Sequence, residues 1–146
     1  MIKVQTAYMG EIEIKASNIL TFEHGLPGFE DENEFVLLEL DENSAFFILQ
    51  SLKTKALAFI ITHPSYVTIS YCFDLDEATV HALSIQQENE VDVYAIVTLK
   101  ETLAQSTINL KAPIIVNTTN NKAKQVILND EQFKIRHPLS IESQKG

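Results

Sequence analysis

Residues 106–128 are STINLKAPIIVNTTNNKAKQVIL. Two runs rich in β-branched and apolar residues, Thr107 to Val116 and Lys124 to Leu128, flank a polar segment that holds Asn117, Asn120 and Asn121. That is the pattern of a strand pair closed by a turn, and asparagine tolerates the positive φ that such a turn needs without glycine. Pro113 has no N–H to give to a ladder, so it belongs at a strand start, an edge or a bulge. Residues Asn109 to Pro113, Leu110 among them, therefore read as a bend leading into a strand from Ile114 to Val116. A polar Asn109 ahead of the bend is suited to hydrogen-bond nearby backbone.

Outward from this stretch, apolar runs of strand length recur at short spacing. Ile2, Val4, Thr6 and Tyr8 alternate with polar neighbours, Gly10 follows, and Ile12 and Ile14 alternate again, which predicts a hairpin turning at Gly10. Ile19 to Phe22 leads into Gly25-Leu26-Pro27-Gly28-Phe29, where Pro27 presets the second position of a type II turn and Gly28 accepts the positive φ of the third. Leu26 and Phe29 flank the turn and are placed to pin it to the core. Phe35 to Leu40, Ala45 to Gln50, Leu57 to Thr62, Ile69 to Phe73 and Val91 to Leu99 are further strand candidates. Asp74-Leu75-Asp76-Glu77 opens one short helix, running to about Leu83, with Asp74 as the cap and Glu77 reciprocating three residues on. The expected class is mainly β: antiparallel strands in a small barrel-like or sandwich domain with one short helix, a single domain over residues 1–146.

Composition excludes several functions. The net charge is −9, and it is segregated: residues 1–99 carry four basic against sixteen acidic side chains, residues 100–146 seven against four. No lysine or arginine occurs between Ala16 and Leu52, where Glu23, Glu30, Asp31, Glu32, Glu34, Glu39, Asp41 and Glu42 all lie. Such a field repels nucleic acid and attracts basic proteins. The N-terminus has no signal core and the longest apolar run, Ala56 to Ile61, is too short to span a bilayer, so a cytoplasmic protein without membrane attachment is expected. Cys72, the single cysteine, sits in the apolar run ISYCF and reads as a small buried hydrophobe.

Motifs for catalysis are missing. Apart from Gly10 and Gly146 the glycines lie in the GLPG turn, so no phosphate-cradling loop exists, and there is no nucleophile elbow or HExxH. His24, His63, His81 and His137 are scattered singly, and the Asp74–Glu77 cluster lacks the glycine and spaced oxygens of a calcium loop. No metal and no cofactor is expected, and an enzyme is disfavoured. The alternative from another class is a small hydrolase whose site is assembled from distant residues.

The passages GLPGFE (25–30), FVLLEL (35–40), SLKTKALAFIITHP (51–64), NLKAPI (109–114) and QVIL (125–128) follow one another over nearly the whole chain. In that order the sequence resembles the FliW family of flagellar assembly factors. Gly25, Pro27, Gly28, Asn109, Leu110, Pro113, Asn117 and Gln125 stand in these passages or in the turn between them as structural motif positions. The resemblance implies a regulatory binding protein that partners flagellin and, when free of it, binds and antagonises the translational repressor CsrA, relieving repression of flagellin mRNA. Two acidic groups are candidate partner contacts: Glu30, Asp31, Glu32 and Glu34 with Phe29, whose field nothing nearby in sequence cancels, and Asp74, Asp76 and Glu77.

Overall fold

The computed structural model describes residues 1–40, 45–67 and 71–139. Among the described residues there are eleven strands: β1 (Ile2–Gln5), β2 (Glu11–Ile14), β3 (Ile19–Phe22), β4 (Glu34–Glu39), β5 (Phe46–Ser51), β6 (Ala58–Thr62), β7 (Val91–Thr98), β8 (Thr107–Ile108), β9 (Ile114–Asn117), β10 (Lys122–Gln125) and β11 (His137–Pro138). An α-helix, α1 (Glu77–Ala82), lies between β6 and β7.

The strands β7-β6-β5-β4-β3-β10-β9 are neighbours in that order, and β9 pairs back onto β7 through Val91↔Asn117 to Tyr94↔Ile114. The sheet therefore closes as a seven-stranded barrel, which leaves no free edge on the ring. The ring is antiparallel except where β10 lies parallel to β3, Lys122 beside Thr21 and Ala123 beside Phe22. That parallel pair is formed by the returning strand of the β9–β10 hairpin, whose turn ends at Asn121 with φ 61°.

Alternation sorts the side chains into an inside and an outside. Leu20, Phe22, Phe35, Leu49, Ile61, Tyr94, Ile114, Val116 and Ala123, supplied by all seven ring strands, fill the barrel with Leu26 of the GLPG loop. Phe22 and Phe35 meet edge to face at 5.3 Å. The outer wall is covered by two pads. The β1–β2 hairpin sets Val4 and Ile14 on Val36 of β4. Its tip is fixed by the buried Gln50, whose Oε1 accepts from the Ala7 N–H at 2.9 Å while its Nε2 donates to the Ser51 and Lys55 carbonyls. The second pad joins Ala95 and Val97 of β7 to Ile108, Leu110, Phe133 and Leu139, with Tyr71 and Phe73 against it.

Several sequence expectations are corrected. Tyr8 does not continue the buried face of β1 but stands exposed in the hairpin loop, where Thr6 bonds back to Gly10. The bend expected over 109–113 is present and separates β8 from β9, both of which pair with β7, whereas the returning strand is Lys122–Gln125 rather than Lys124 to Leu128. Tyr71, Cys72 and Phe73 are not in a strand, and the rest of the expected strand, Ile69 and Ser70, lies outside the described residues, as do Asp41 and Glu42.

Candidate functional site

The GLPG loop leaves β3 and returns to β4 over the barrel interior. The Phe29 N–H donates to the Leu26 carbonyl at 2.7 Å, with Gly28 at φ 85°, so Leu26-Pro27-Gly28-Phe29 is a type II turn. Gly25 is required more strictly. It has φ 67°, and a Cβ there would lie 2.4 Å from the Phe29 carbonyl oxygen and 2.7 Å from Glu30 backbone. Leu26 is buried, whereas Phe29 is 41% exposed and rests edge-on against Phe59 at 5.7 Å. The turn thus holds an aromatic ring at the surface beside carboxylates.

Those four carboxylates are not equivalent. Glu32 accepts from the hydroxyls of Ser51 and Thr54, the latter at 2.6 Å, and Ser51 Oγ in turn accepts from the Lys53 and Thr54 N–H groups. The Ser51 and Thr54 hydroxyls hold the Glu32 carboxyl below its usual range. Glu32 is therefore a clamp between the GLPG loop and the β5–β6 turn. Glu30 folds back on the Gly28 N–H at 3.0 Å, and Asp31 and Glu34 are exposed. Lys53, brought over by the β5–β6 turn, reaches the Asp31 carbonyl and sits near Glu32, so the field is partly cancelled by a cation from another part of the chain.

The second acidic group is also divided by the fold. Asp76, not Asp74, caps α1: its Oδ1 accepts from the Thr79 N–H at 3.0 Å. Of the two aspartates in DLDE it is the one directly before the first helical residue, and Glu77 then occupies the first position of the helix rather than the third, where it has no reach back to the cap. The Thr79 hydroxyl beside it and the Thr79 N–H hold the Asp76 carboxyl below the usual range. Asp74 and Glu77 are exposed, and so is Cys72, contrary to its expected burial. Its neighbours Tyr71 and Phe73 turn into the second pad instead and leave the thiol on the opposite side.

The bend after β8 is held by Asn109, whose Oδ1 accepts from the Lys111 and Ala112 N–H groups at 3.0 and 3.1 Å. Pro113 immediately precedes β9, Gln125 donates from its side chain to the Ala112 carbonyl at 3.0 Å, and the Leu110 carbonyl accepts from the buried Tyr71 hydroxyl at 2.6 Å. Asn117 closes β9 and reaches α1, donating to the Leu83 carbonyl at 2.8 Å. These motif positions serve the frame.

A groove of about 890 Å³ runs between α1 and the outer wall of β7. Two of its lining residues, His63 and Asp92, belong to an assembly with Tyr94 of the barrel interior that sequence reasoning missed. The His63 ring stacks on Tyr94 at 4.5 Å and donates from Nδ1 to the Val93 carbonyl at 2.9 Å, and the Tyr94 hydroxyl donates to Asp92 at 3.0 Å. Burial, with Asp92 close by, pushes the Tyr94 phenol well above its usual range. His63 lies about thirty residues from these partners in sequence, so no local spacing could announce it. Among the described residues no three His, Cys, Asp or Glu side chains are grouped to hold a metal ion.

The fold is thus a closed β-barrel with an acidic, aromatic-tipped turn and an open groove at its surface. The FliW protein family model matches residues 3–139. The chain is 45% identical over 140 residues to the flagellar assembly factor FliW of Bacillus pumilus, covering 96% of this chain and 97% of the relative. It is 48% identical over 134 residues to that of Bacillus velezensis, covering 92% and 94%. A crystal structure of the flagellar assembly factor FliW superposes with a TM-score of 0.90 at 41% identity, over 96% of this chain and 98% of that one. The chain belongs to the FliW family of flagellar assembly factors.

Proposed function

We propose that this protein is a cytoplasmic regulatory binding protein of flagellar assembly that binds flagellin and, when free of it, binds the translational repressor CsrA and relieves repression of flagellin mRNA. It acts as one unit over residues 1–146, by protein contacts alone, without catalysis, cofactor, membrane attachment or direct contact with nucleic acid. The observation that carries the reading is the GLPG turn, which fixes Phe29 at the surface beside Glu30, Asp31 and Glu34. A further observation supports it: relatives along nearly the whole length are named flagellar assembly factors. The hydrolase alternative gains no support, since Glu32, the carboxylate of the turn with a shifted pKa, is shifted toward the ionised form by structural hydroxyls.

Carboxylates at the rim of an interface mainly raise the association rate, and that effect fades with salt. An acidic protein docked beside an RNA-binding surface also opposes the phosphate backbone. The test is titration calorimetry with flagellin and CsrA, alone and in competition, joined to CsrA association rates across ionic strength. The comparison variant is Glu30→Gln, Asp31→Asn and Glu34→Gln, leaving the clamp at Glu32 in place. Slower association and a flatter salt slope are expected for CsrA, with a smaller change for flagellin. Rates and slopes equal to those of the unaltered chain would remove the acidic turn from the mechanism.

A further inference from the structure

Along β7 the residues Val91, Val93, Ala95 and Val97 share the outer wall of the barrel, and the described residues cover the wall over only half of that row. Ala95 and Val97 are sealed by the pad of Ile108, Phe133 and Leu139. Val91 and Val93 remain partly exposed and form the floor of the groove, facing Val80 and Ile85 from the α1 side. An apolar row continued from a sealed core into an open groove is a surface that gains from being covered.

The groove is also charged on one side of the scale. Asp74, Glu88 and Asp92 line it, and among the described residues no lysine or arginine does; Lys124, which approaches Asp76, lies outside the lining. The polar groups deeper in the wall are already engaged with one another. β6 pairs with β7 only as far as Thr62↔Ala95, and beyond it the Val93 carbonyl is taken by the His63 ring. An added strand therefore does not find that carbonyl free. What is left to recognise is an apolar floor with a carboxylate rim.

We propose that the groove between α1 and β7 is a docking site for a segment of a partner polypeptide that carries apolar side chains flanked by lysine or arginine. The apolar side chains cover Val91 and Val93, and the cations meet Asp74 and Glu88, which are exposed. This goes beyond the acidic-turn reading, because Phe29, Glu30, Asp31 and Glu34 do not line the groove; of the second acidic group only Asp74 does, and the proposal gives that aspartate its place in a site.

The single thiol supplies the measurement, since Cys72 lines the groove and is exposed. Its alkylation by iodoacetamide is followed in the full chain with short synthetic peptides of alternating leucine and lysine, leucine and glutamate, or serine and lysine. At ten times its dissociation constant the leucine–lysine peptide is expected to slow alkylation about tenfold, by mass action. The other two should leave the rate unchanged. Val93→Ser, and separately the exposed pair Asp74→Asn with Glu88→Gln, should each weaken the leucine–lysine peptide, with circular dichroism unchanged. Equal protection by the three peptides, or undiminished affinity in the paired variant, overturns the proposal. So does protection that rises with protein concentration in the absence of peptide, which would make a second copy of the chain the occupant. A failed CsrA titration leaves this result standing, and a failed peptide titration leaves the CsrA reading standing.

Discussion

Asn117 donates from Nδ2 to the carbonyl oxygen of Leu83 at 2.8 Å, joining the end of β9 to the end of α1 across 34 positions of sequence. The same carbonyl accepts from Asn120 at 3.1 Å, and Asn117 Oδ1 receives the Thr119 N–H and hydroxyl. One fully buried amide thus terminates a helix and shapes the β9–β10 turn. Asn117→Ala is expected to cost about 2 kcal/mol, because it removes the bonds to Leu83 and Thr119 from a fully buried position, even though the Leu83 carbonyl keeps Asn120. Chemical denaturation measures the loss, and hydrogen exchange should show α1 opening faster than β4 and β5.

Gly25→Ala and Gly28→Ala separate two kinds of glycine. Gly28 has positive φ but open space around its Cα, so Gly28→Ala should cost about 1 kcal/mol from backbone strain alone. At Gly25 the same strain is joined by a Cβ 2.4 Å from the Phe29 carbonyl oxygen, and the loop itself must move. The denaturation midpoint should fall at least twice as far for Gly25→Ala. Equal midpoints would contradict the close approach.

Glu32→Gln tests the clamp by its pH dependence. The folded-state carboxyl titrates below its unfolded value, so its stabilisation is present above the unfolded value and is lost as pH falls through the folded one. Glu32→Gln should be less stable than the unaltered chain at neutral pH, and the gap should close as pH drops below about 4. A gap that stays constant from neutral pH to pH 3 would show that the charge is not what matters.

The Tyr71 hydroxyl bonds to the Leu110 carbonyl, and burial pushes its phenol above the usual range. A group raised on folding supplies its stabilisation below its unfolded value, about 10, and loses it as pH rises toward the folded one. The chain should therefore weaken above about pH 10, and Tyr71→Phe should lessen that alkaline loss while lowering stability at neutral pH by about 1 kcal/mol. Thermal melts from pH 7 to 11 read both effects.

Most of the ring strands, the type II turn and the presence of a helix after Phe73 were legible in the chain because their causes are local, whereas the strand expected over 69–73 is absent at Tyr71–Phe73. Alternation marks a buried face, proline and glycine fix a turn, and Asp ahead of a polar-apolar run caps a helix. Even there the choice between Asp74 and Asp76 needed the backbone, since either side chain satisfies the pattern and only φ and ψ show where the helix begins. The burial predicted for Cys72 failed for a related reason: an apolar run off the regular strands gives no period to say which side chain turns inward.

What the sequence by itself determined was a mainly β chain, its turns, an acidic first two-thirds and the passages that place it in the FliW family. Barrel closure, the covering of its outer wall and the inventory of free charge were decided by tertiary structure. The β7–β9 and β3–β10 pairings, the Lys53 that enters the acidic turn, the hydroxyls that occupy Glu32 and the His63 ring on Tyr94 all join residues far apart in the chain. Local propensity acts over a few neighbours, whereas charge, stacking and burial act through space, and only the closed barrel sets those distances.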